Sequence, residues 1–416
     1  MRIGYISQFY DPEQGAAAVP GAMVRALTNL GHEVKVLTAF PNYPYGKTFD
    51  GHRQSVRRLE RLNGVPVMRV PLYPSHDRSA VRRGINELSF AASAATVGVR
   101  HLRDVDVCMV YSSPATAALP ALMARGLWRK PFLLFVQDLW PDTVLASGFI
   151  HSARVAASVE RTLTRYCDAV YRSAGRVAVI SPGMEQLLID RGVQSSKVEV
   201  IYNWADESVF GGAATTARPL PERSGLTVMY AGSIGDLQGL DVAVRAMTRL
   251  RDLDDVTLQL VGTGVAVESL RRLAAQLGVQ DRVAFLGRRP QHEMVGLMQA
   301  ADVQLVTLRD LPLFHLTMPS KVQTILAMGS PVIVSAPGDV ANLVQRAGAG
   351  FSCPPGDADA LAAAIRRMHA LPPSSRARLG DSGKAFYDRE LSERIGAERL
   401  VTALASTAAD ERSRRR

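Results

Sequence analysis

Thr227-Val228-Met229-Tyr230-Ala231-Gly232-Ser233-Ile234-Gly235-Asp236-Leu237-Gln238-Gly239-Leu240-Asp241 runs from an apolar stretch through three glycines into apolar residues at helical spacing. The pattern predicts a strand over Thr227–Tyr230 and a helix over Asp241–Leu250. A glycine loop between the two offers bare backbone N–H groups to a diphosphate. It is neither the spaced G-x-G-x-x-G of a dinucleotide fold nor a P-loop. An anion site and a plain strand–helix turn therefore both stand as readings of it.

The same alternation spreads outward. Thr257–Val261, Arg282–Leu286, Val303–Thr307 and Pro331–Ser335 read as further strands with helices between them. Towards the N-terminus, Ile3–Ser7, Glu33–Thr38, Asp106–Tyr111, Phe132–Val136, Arg176–Ile180 and Val198–Tyr202 form an earlier series. Its first helix carries Met23, Leu27 and Leu30 and ends at Gly31-His32. Residues 211–224, rich in small residues and proline, read as a linker. Alternating strands and helices imply parallel sheets covered on both faces. The expected fold is α/β, with two doubly wound domains over 1–205 and 206–385. A segment over 386–416, with a helix near Glu390–Ala409 and a basic tail, is expected to pack back on the first domain.

Composition bounds the function. Of 416 residues, 47% are hydrophobic and 21% charged, a globular balance. Cys108, Cys167 and Cys353 are scattered and odd in number, so no disulfide framework is expected and a reducing cytoplasm fits. No secretory leader is read at Met1, and the apolar run Leu88–Val99 is too short to span a bilayer. The expectation is a cytoplasmic protein, soluble or attached to the inner membrane face. The net charge of +10 is uneven: residues 1–205 carry 24 Lys and Arg against 16 Asp and Glu. Arg53 to Arg103 holds ten Arg and three acids. An anionic lipid surface, a lipid diphosphate or simple solvation of a basic face are alternative readings. Nucleic acid is not expected as a partner, since no module interleaving aromatic and basic residues appears.

In doubly wound sheets, ligands bind beyond the carboxyl ends of the strands. The loop Gln8–Ala17 follows the first strand, and its small residues and following helix suit an anion. Gly262-Thr263-Gly264 and Gly287-Arg288-Arg289 follow later strands, so Gly264 and Arg288 are candidates for a phosphate or base. In Met318-Pro319-Ser320-Lys321-Val322, Ser320 reads as an N-cap and Lys321 falls in the first helical turn. A cation there is disfavoured by the helix dipole, unless an anion sits in front of it. Asp138, after the strand Phe132–Val136, suits proton acceptance or turn capping. No G-x-S-x-G elbow, H-E-x-x-H helix or paired His spacing appears.

Taken together, these segments resemble glycosyltransferase family 4, the retaining transferases of the GT-B fold, in which two Rossmann-like domains face across a cleft. They are most similar to the bacterial branch that builds colanic acid and O-antigen polysaccharides. The resemblance rests on Gln8–Gly15, Gly31-His32-Glu33-Val34, Pro41-Asn42-Tyr43-Pro44, Gln137-Asp138-Leu139-Trp140-Pro141, Ser181-Pro182-Gly183-Met184 and Tyr202-Asn203-Trp204. In the second half it rests on Gly232–Leu240, Pro319-Ser320-Lys321 and Gly329–Ile333.

The resemblance implies a nucleotide-sugar co-substrate, UDP-linked, with no cofactor and no metal. Gly15, Ala16, Gly232, Ser233, Gln238, Gly264, Arg288, Ser320 and Thr324 would bind the donor, with Lys321 facing its diphosphate. Asp138, as a catalytic group, would sit with Gln137 and Asn203 on the acceptor side. The acceptor would be a polyprenyl-diphosphate-linked glycan or a soluble small molecule. Two departures stand out. Ser233 and Gln238 replace the family's Arg and Lys, and Leu316 and Thr324 replace its spaced Glu pair. An epimerase or a non-catalytic binding subunit remain alternative functions.

Overall fold

The computed structural model describes residues 1–13, 15–76, 79–146, 152–210 and 225–413. The linker reading at 211–224 and Arg414, Arg415 and Arg416 of the tail lie outside these residues. The chain forms two compact units: Met1–Tyr202 with Ala397–Arg416, and Asn203–Gly396.

The first unit is built on eight strands in the order β3-β4-β2-β1-β5-β6-β7-β8. They are β1 Arg2–Ile6, β2 Glu33–Ala39, β3 Arg58–Leu62, β4 Val65–Val70, β5 Val107–Ser112, β6 Phe132–Val136, β7 Arg176–Val179 and β8 Val198–Val200. Every pair is parallel except β3–β4. A parallel strand covered on both faces reads as an unbroken apolar run, and Phe132-Leu133-Leu134-Phe135-Val136 is wholly buried.

The β3–β4 hairpin escaped the strand prediction because its arginines read as a charge cluster. Its turn was legible: Asn63 and Gly64 both adopt positive φ, 50° and 81°, between the paired Leu62 and Val65. That is the Asn-Gly signature of a tight hairpin. Arg58 and Arg61 lie on the edge strand, where charge discourages pairing with other chains.

The second unit has six parallel strands in the order β11-β10-β9-β12-β13-β14. They are β9 Leu226–Ala231, β10 Val256–Val261, β11 Val283–Gly287, β12 Val303–Thr307, β13 Val332–Ser335 and β14 Gly350–Cys353. Its core gathers Leu226, Val228, Tyr230, Leu258, Leu260 and Ile333 with Val244 and Met247 of the helix Asp241–Thr248. Each such side chain contributes about 1.5–3 kcal/mol when fully buried.

The helix Pro373–Glu390 was not foreseen, because its buried residues include Gly380 and Gly383, which carry no apolar signal. The last helix, Glu393–Ser413, runs into the first unit, where Thr407 lies against Gly175 and Glu411 pairs with Arg125 at 3.5 Å. Among the described residues no helix is long and apolar enough to cross a membrane.

The helix Ala80–Ser93 divides a question the sequence left open. Asn86, Phe90 and Ala91 pack inward, whereas Val81, Ile85 and Leu88 are 71%, 46% and 61% exposed. Positions 81, 85 and 88 share one face at 3.6 residues per turn, and 90 points the opposite way. Phe90 is a core residue.

Strand order reverses between β1 and β5 in the first sheet and between β9 and β12 in the second. Such switch points open a crevice at the carboxyl edge of a sheet. Gly232 and Ser233 follow β9; Gln8 follows β1, and Ser113 follows β5.

Candidate functional site

In the second unit the loops after β9 and β10 are laced together by backbone. The Gly232 N–H donates to Val261 O at 2.9 Å, and the Ile234 N–H to Thr263 O at 2.9 Å. The Ala266 N–H returns to Ile234 O at 3.0 Å. A Cβ on Gly262 would lie 1.8 Å from Gly232 O, and one on Gly264 would lie 2.1 Å from Ile234 O. Gly262 and Gly264 are therefore glycines because backbone meets backbone. The Gly232 N–H is thus committed to Val261 O, and Gly264 has no room for a side chain beside Ile234 O. Ser233 is left exposed on the loop.

Gln238 also proves to be a shaping residue. Its Oε1 accepts the Gly235 N–H at 3.0 Å and closes the turn before Gly239. Arg309, just past β12, pins the same loop: Nε donates to Asp236 O at 2.9 Å and Nη2 meets Asp241 at 2.9 Å. No motif marks Arg309 for that role.

Lys321 opens the short helix Lys321–Ala327. Its Nζ lies 3.8 Å from the centre of the Tyr230 ring, and the Tyr230 hydroxyl donates to Ser233 O at 2.7 Å. A Cβ on Gly232 would come within 3.1 Å of Nζ, so the glycine leaves room for the ammonium. Burial pushes the Lys321 ammonium down to about 7, and no carboxylate among the described residues offsets that shift. The ring face stabilises a cation by about 0.5–2 kcal/mol, less than the cost of stripping its water.

Ser320 occupies the N-cap position with helical φ and ψ, −59° and −19°, and makes no side-chain capping bond. The sequence reading of Ser320 as a capping side chain is thus corrected; its hydroxyl is not turned to the helix's first N–H groups. Thr324 lies one turn further along this helix and is partly accessible. Arg288 is exposed beyond β11, two strands from β9, about 10 Å at ordinary strand spacing.

In the first unit, Asp138 follows β6, and its Oδ2 accepts the Ser113 hydroxyl at 2.6 Å across the ends of β5 and β6. Burial raises its pKa, and the Ser113 bond pulls the other way. Glu87, on the helix Ala80–Ser93, is pushed up to about 7 by burial; Arg83 opposes the shift and the charge of Asp138 adds to it. Sequence reasoning missed Glu87 because an acid within an Arg-rich helix looks solvated. Gln137 is buried and carries on the β5–β6 ladder, its N–H reaching Ser112 O at 3.4 Å. Gly15, with φ 67°, opens the turn Gly15–Ala18, which includes Ala16. Asn203, placed by sequence with the acceptor-side residues of the first domain, groups with the second unit, and is buried. Next to it Trp204 packs on Gly396, and the Ala205 N–H donates to the Tyr387 hydroxyl at 3.2 Å.

Comparison with known proteins covers both units. Residues 14–204 match the family described as Glycosyl transferase 4-like domain, and residues 217–386 match Glycosyl transferases group 1. Escherichia coli WcaI, assigned as a colanic acid biosynthesis glycosyl transferase, is 28% identical over 87% of this chain and 91% of its own. Pseudomonas aeruginosa WbjE, assigned as a glycosyltransferase, is 26% identical over 79% and 82%. Among solved structures, Anabaena HepE in complex with UDP superposes with a TM-score of 0.69 at 18% identity, covering 98% of this chain and all of that one. The fold is GT-B.

Proposed function

The chain belongs to glycosyltransferase family 4, and on that premise we propose that it moves a sugar from a UDP-linked donor to an acceptor hydroxyl with retention of anomeric configuration. The observation that carries the donor half is Lys321. A desolvated ammonium beside a glycine loop, with no carboxylate among the described residues to offset it, is stabilised by an arriving diphosphate. Anion binding raises its pKa and restores the charge. Ser233 and Ser320, both exposed at this edge, supply hydroxyl donors to the same group. Structural relatives solved with UDP and UDP-glucose support the choice of base.

The bond from the anomeric carbon to the diphosphate oxygen breaks as the acceptor oxygen bonds to that carbon. The acceptor proton passes to the departing diphosphate. Positive charge fixed where negative charge develops is electrostatic catalysis, for which Lys321 requires no metal. On the acceptor side, Asp138, held by Ser113, orients the reacting hydroxyl.

The acceptor we favour is a polyprenyl-diphosphate-linked glycan at a membrane surface. The exposed face of Val81, Ile85 and Leu88, with Arg82 beside it, has the chemistry of an interfacial helix. A thermal-shift panel of nucleotide sugars tests the donor, since a bound ligand stabilises the fold by mass action. A clear shift with UDP compounds and none with other bases is expected; the reverse overturns the UDP assignment. Sedimentation with anionic vesicles tests the acceptor face: binding that weakens with salt supports it, and absence of binding at low salt refutes it.

A further inference from the structure

We propose that Glu13 is a positioning residue for the transfer reaction: with Arg69 it braces the loop after β1, through Gly15, in the conformation turnover uses. The proposal rests on the glycosyltransferase reading. Glu13 is 3% exposed. Its Oε2 accepts the Tyr10 N–H at 3.1 Å, and its Oε1 accepts the Asn42 and Tyr43 N–H groups at 2.8 and 2.9 Å. One carboxylate thus ties the loop after β1 to the loop after β2.

Arg69, on β4 and fully buried, ties the same two segments by their carbonyls. Nη2 donates to Asp11 O at 2.5 Å and Nη1 to Ala39 O at 3.0 Å, while Nε pairs with Glu60 at 2.6 Å. The Asp11 side chain pairs with Arg25 at 3.1 Å, in space that Gly21 leaves by lacking a Cβ. An acid collects N–H groups and a base collects carbonyls, on adjoining loops.

The charge is specified by acceptor count. A carboxylate only accepts, so all three N–H groups are satisfied. A glutamine would turn its NH₂ toward Tyr10 or toward Asn42 and Tyr43. Burial pushes Glu13 up to about 7, against the pull of those three bonds and of Arg69. Burying a carboxylate carries a cost in lost hydration. Here it is spent on loops at a sheet's carboxyl edge, a place where loops are ordinarily satisfied by water and ligands bind.

The test uses the full chain with Glu13→Gln and Glu13→Asp. Calorimetry with UDP and steady-state release of UDP from UDP-glucose, or from the nucleotide sugar giving the largest thermal shift, are measured on each. UDP affinity is expected to stay within about twofold in both variants. With Glu13→Gln, kcat should fall about 10²-fold, the usual effect of a misplacement near 1 Å. Glu13→Asp keeps two accepting oxygens and should recover part of that loss. A kcat for Glu13→Gln within twofold of the parent overturns the proposal. So does a joint loss of UDP binding and melting temperature, which would assign Glu13 to stability alone. If the parent chain itself neither binds nor releases UDP, the donor reading fails instead.

Discussion

The carboxyl edges of the two sheets share a topology and differ in charge. At the edge of the second unit a partly buried cation, Lys321, lies over Tyr230 with no carboxylate to offset it among the described residues. At the edge of the first unit the charged groups withdrawn from water, the carboxylates of Glu13 and Asp138 and the guanidinium of Arg69, each have protein partners: Glu13 takes three N–H groups, Asp138 takes Ser113 and Arg69 pairs with Glu60. The contrast teaches that burial alone does not mark a ligand site. A charge satisfied by protein builds the scaffold, whereas one without a counter-charge is the candidate for a ligand.

Replacing Lys321 should have the largest effect. Lys321→Ala is expected to lower turnover about 10²–10³-fold, as removal of one oxyanion-stabilising donor does, with the melting temperature nearly unchanged. Near-normal turnover would remove the distinction between the two edges. Asp138→Asn should lower kcat about 10²-fold, within the range of a lost acid–base group, while UDP affinity stays at the parent value. Loss of UDP affinity in that variant would place the carboxylate with the donor.

A stability prediction separates supporting glycines from contacting ones. Gly264→Ala puts a methyl group into the Ile234 carbonyl and should destabilise by about 1–3 kcal/mol, read from denaturant midpoints. Unchanged midpoints would mean that the laced loops yield easily. The smallest expected effect is Ser320→Ala, within about 0.5 kcal/mol in stability, since no capping bond is lost. A loss above 1 kcal/mol would reinstate Ser320 as an N-cap.

Much of the fold was legible because parallel strands announce themselves as buried apolar runs. Every strand foreseen is present to within two residues, from Ile3–Ser7 to Pro331–Ser335. What escaped had weaker signals. The β3–β4 hairpin hid beneath its arginines, although Asn63-Gly64 marked its turn. The helix Pro373–Glu390 hid because two of its buried positions, Gly380 and Gly383, carry no apolar signal beside Phe386 and Tyr387. At the site, Lys321 was legible as a cation where a helix dipole disfavours one. The partners that give it meaning, Tyr230 beneath and Gly232 beside it, come from β9 and the loop that follows, far away in sequence. Glu13, Arg69 and Glu87 were illegible for a common reason: charged residues read as solvated until the fold buries them. The internal bond of Gln238 and the close approach of Gly264 to Ile234 were illegible, because a sequence does not show which neighbouring loop a residue meets.

Proton linkage tests the contrast most directly. With Lys321 lowered to about 7, the free protein at pH 8.5 holds this side chain largely neutral. The unfolded chain keeps its lysines protonated up to about 10.4, so this group makes the fold more stable as pH rises from 7 towards 10. A bound diphosphate favours the ammonium, so binding must draw a proton from solvent in that window, and UDP affinity must fall as pH rises. Calorimetry of UDP binding at pH 8.5, in two buffers of different ionisation enthalpy, counts that proton. The account predicts an uptake of close to one proton for the parent chain and none for Lys321→Met. UDP binding by the parent with no proton uptake, or equally tight binding by Lys321→Met, would contradict it.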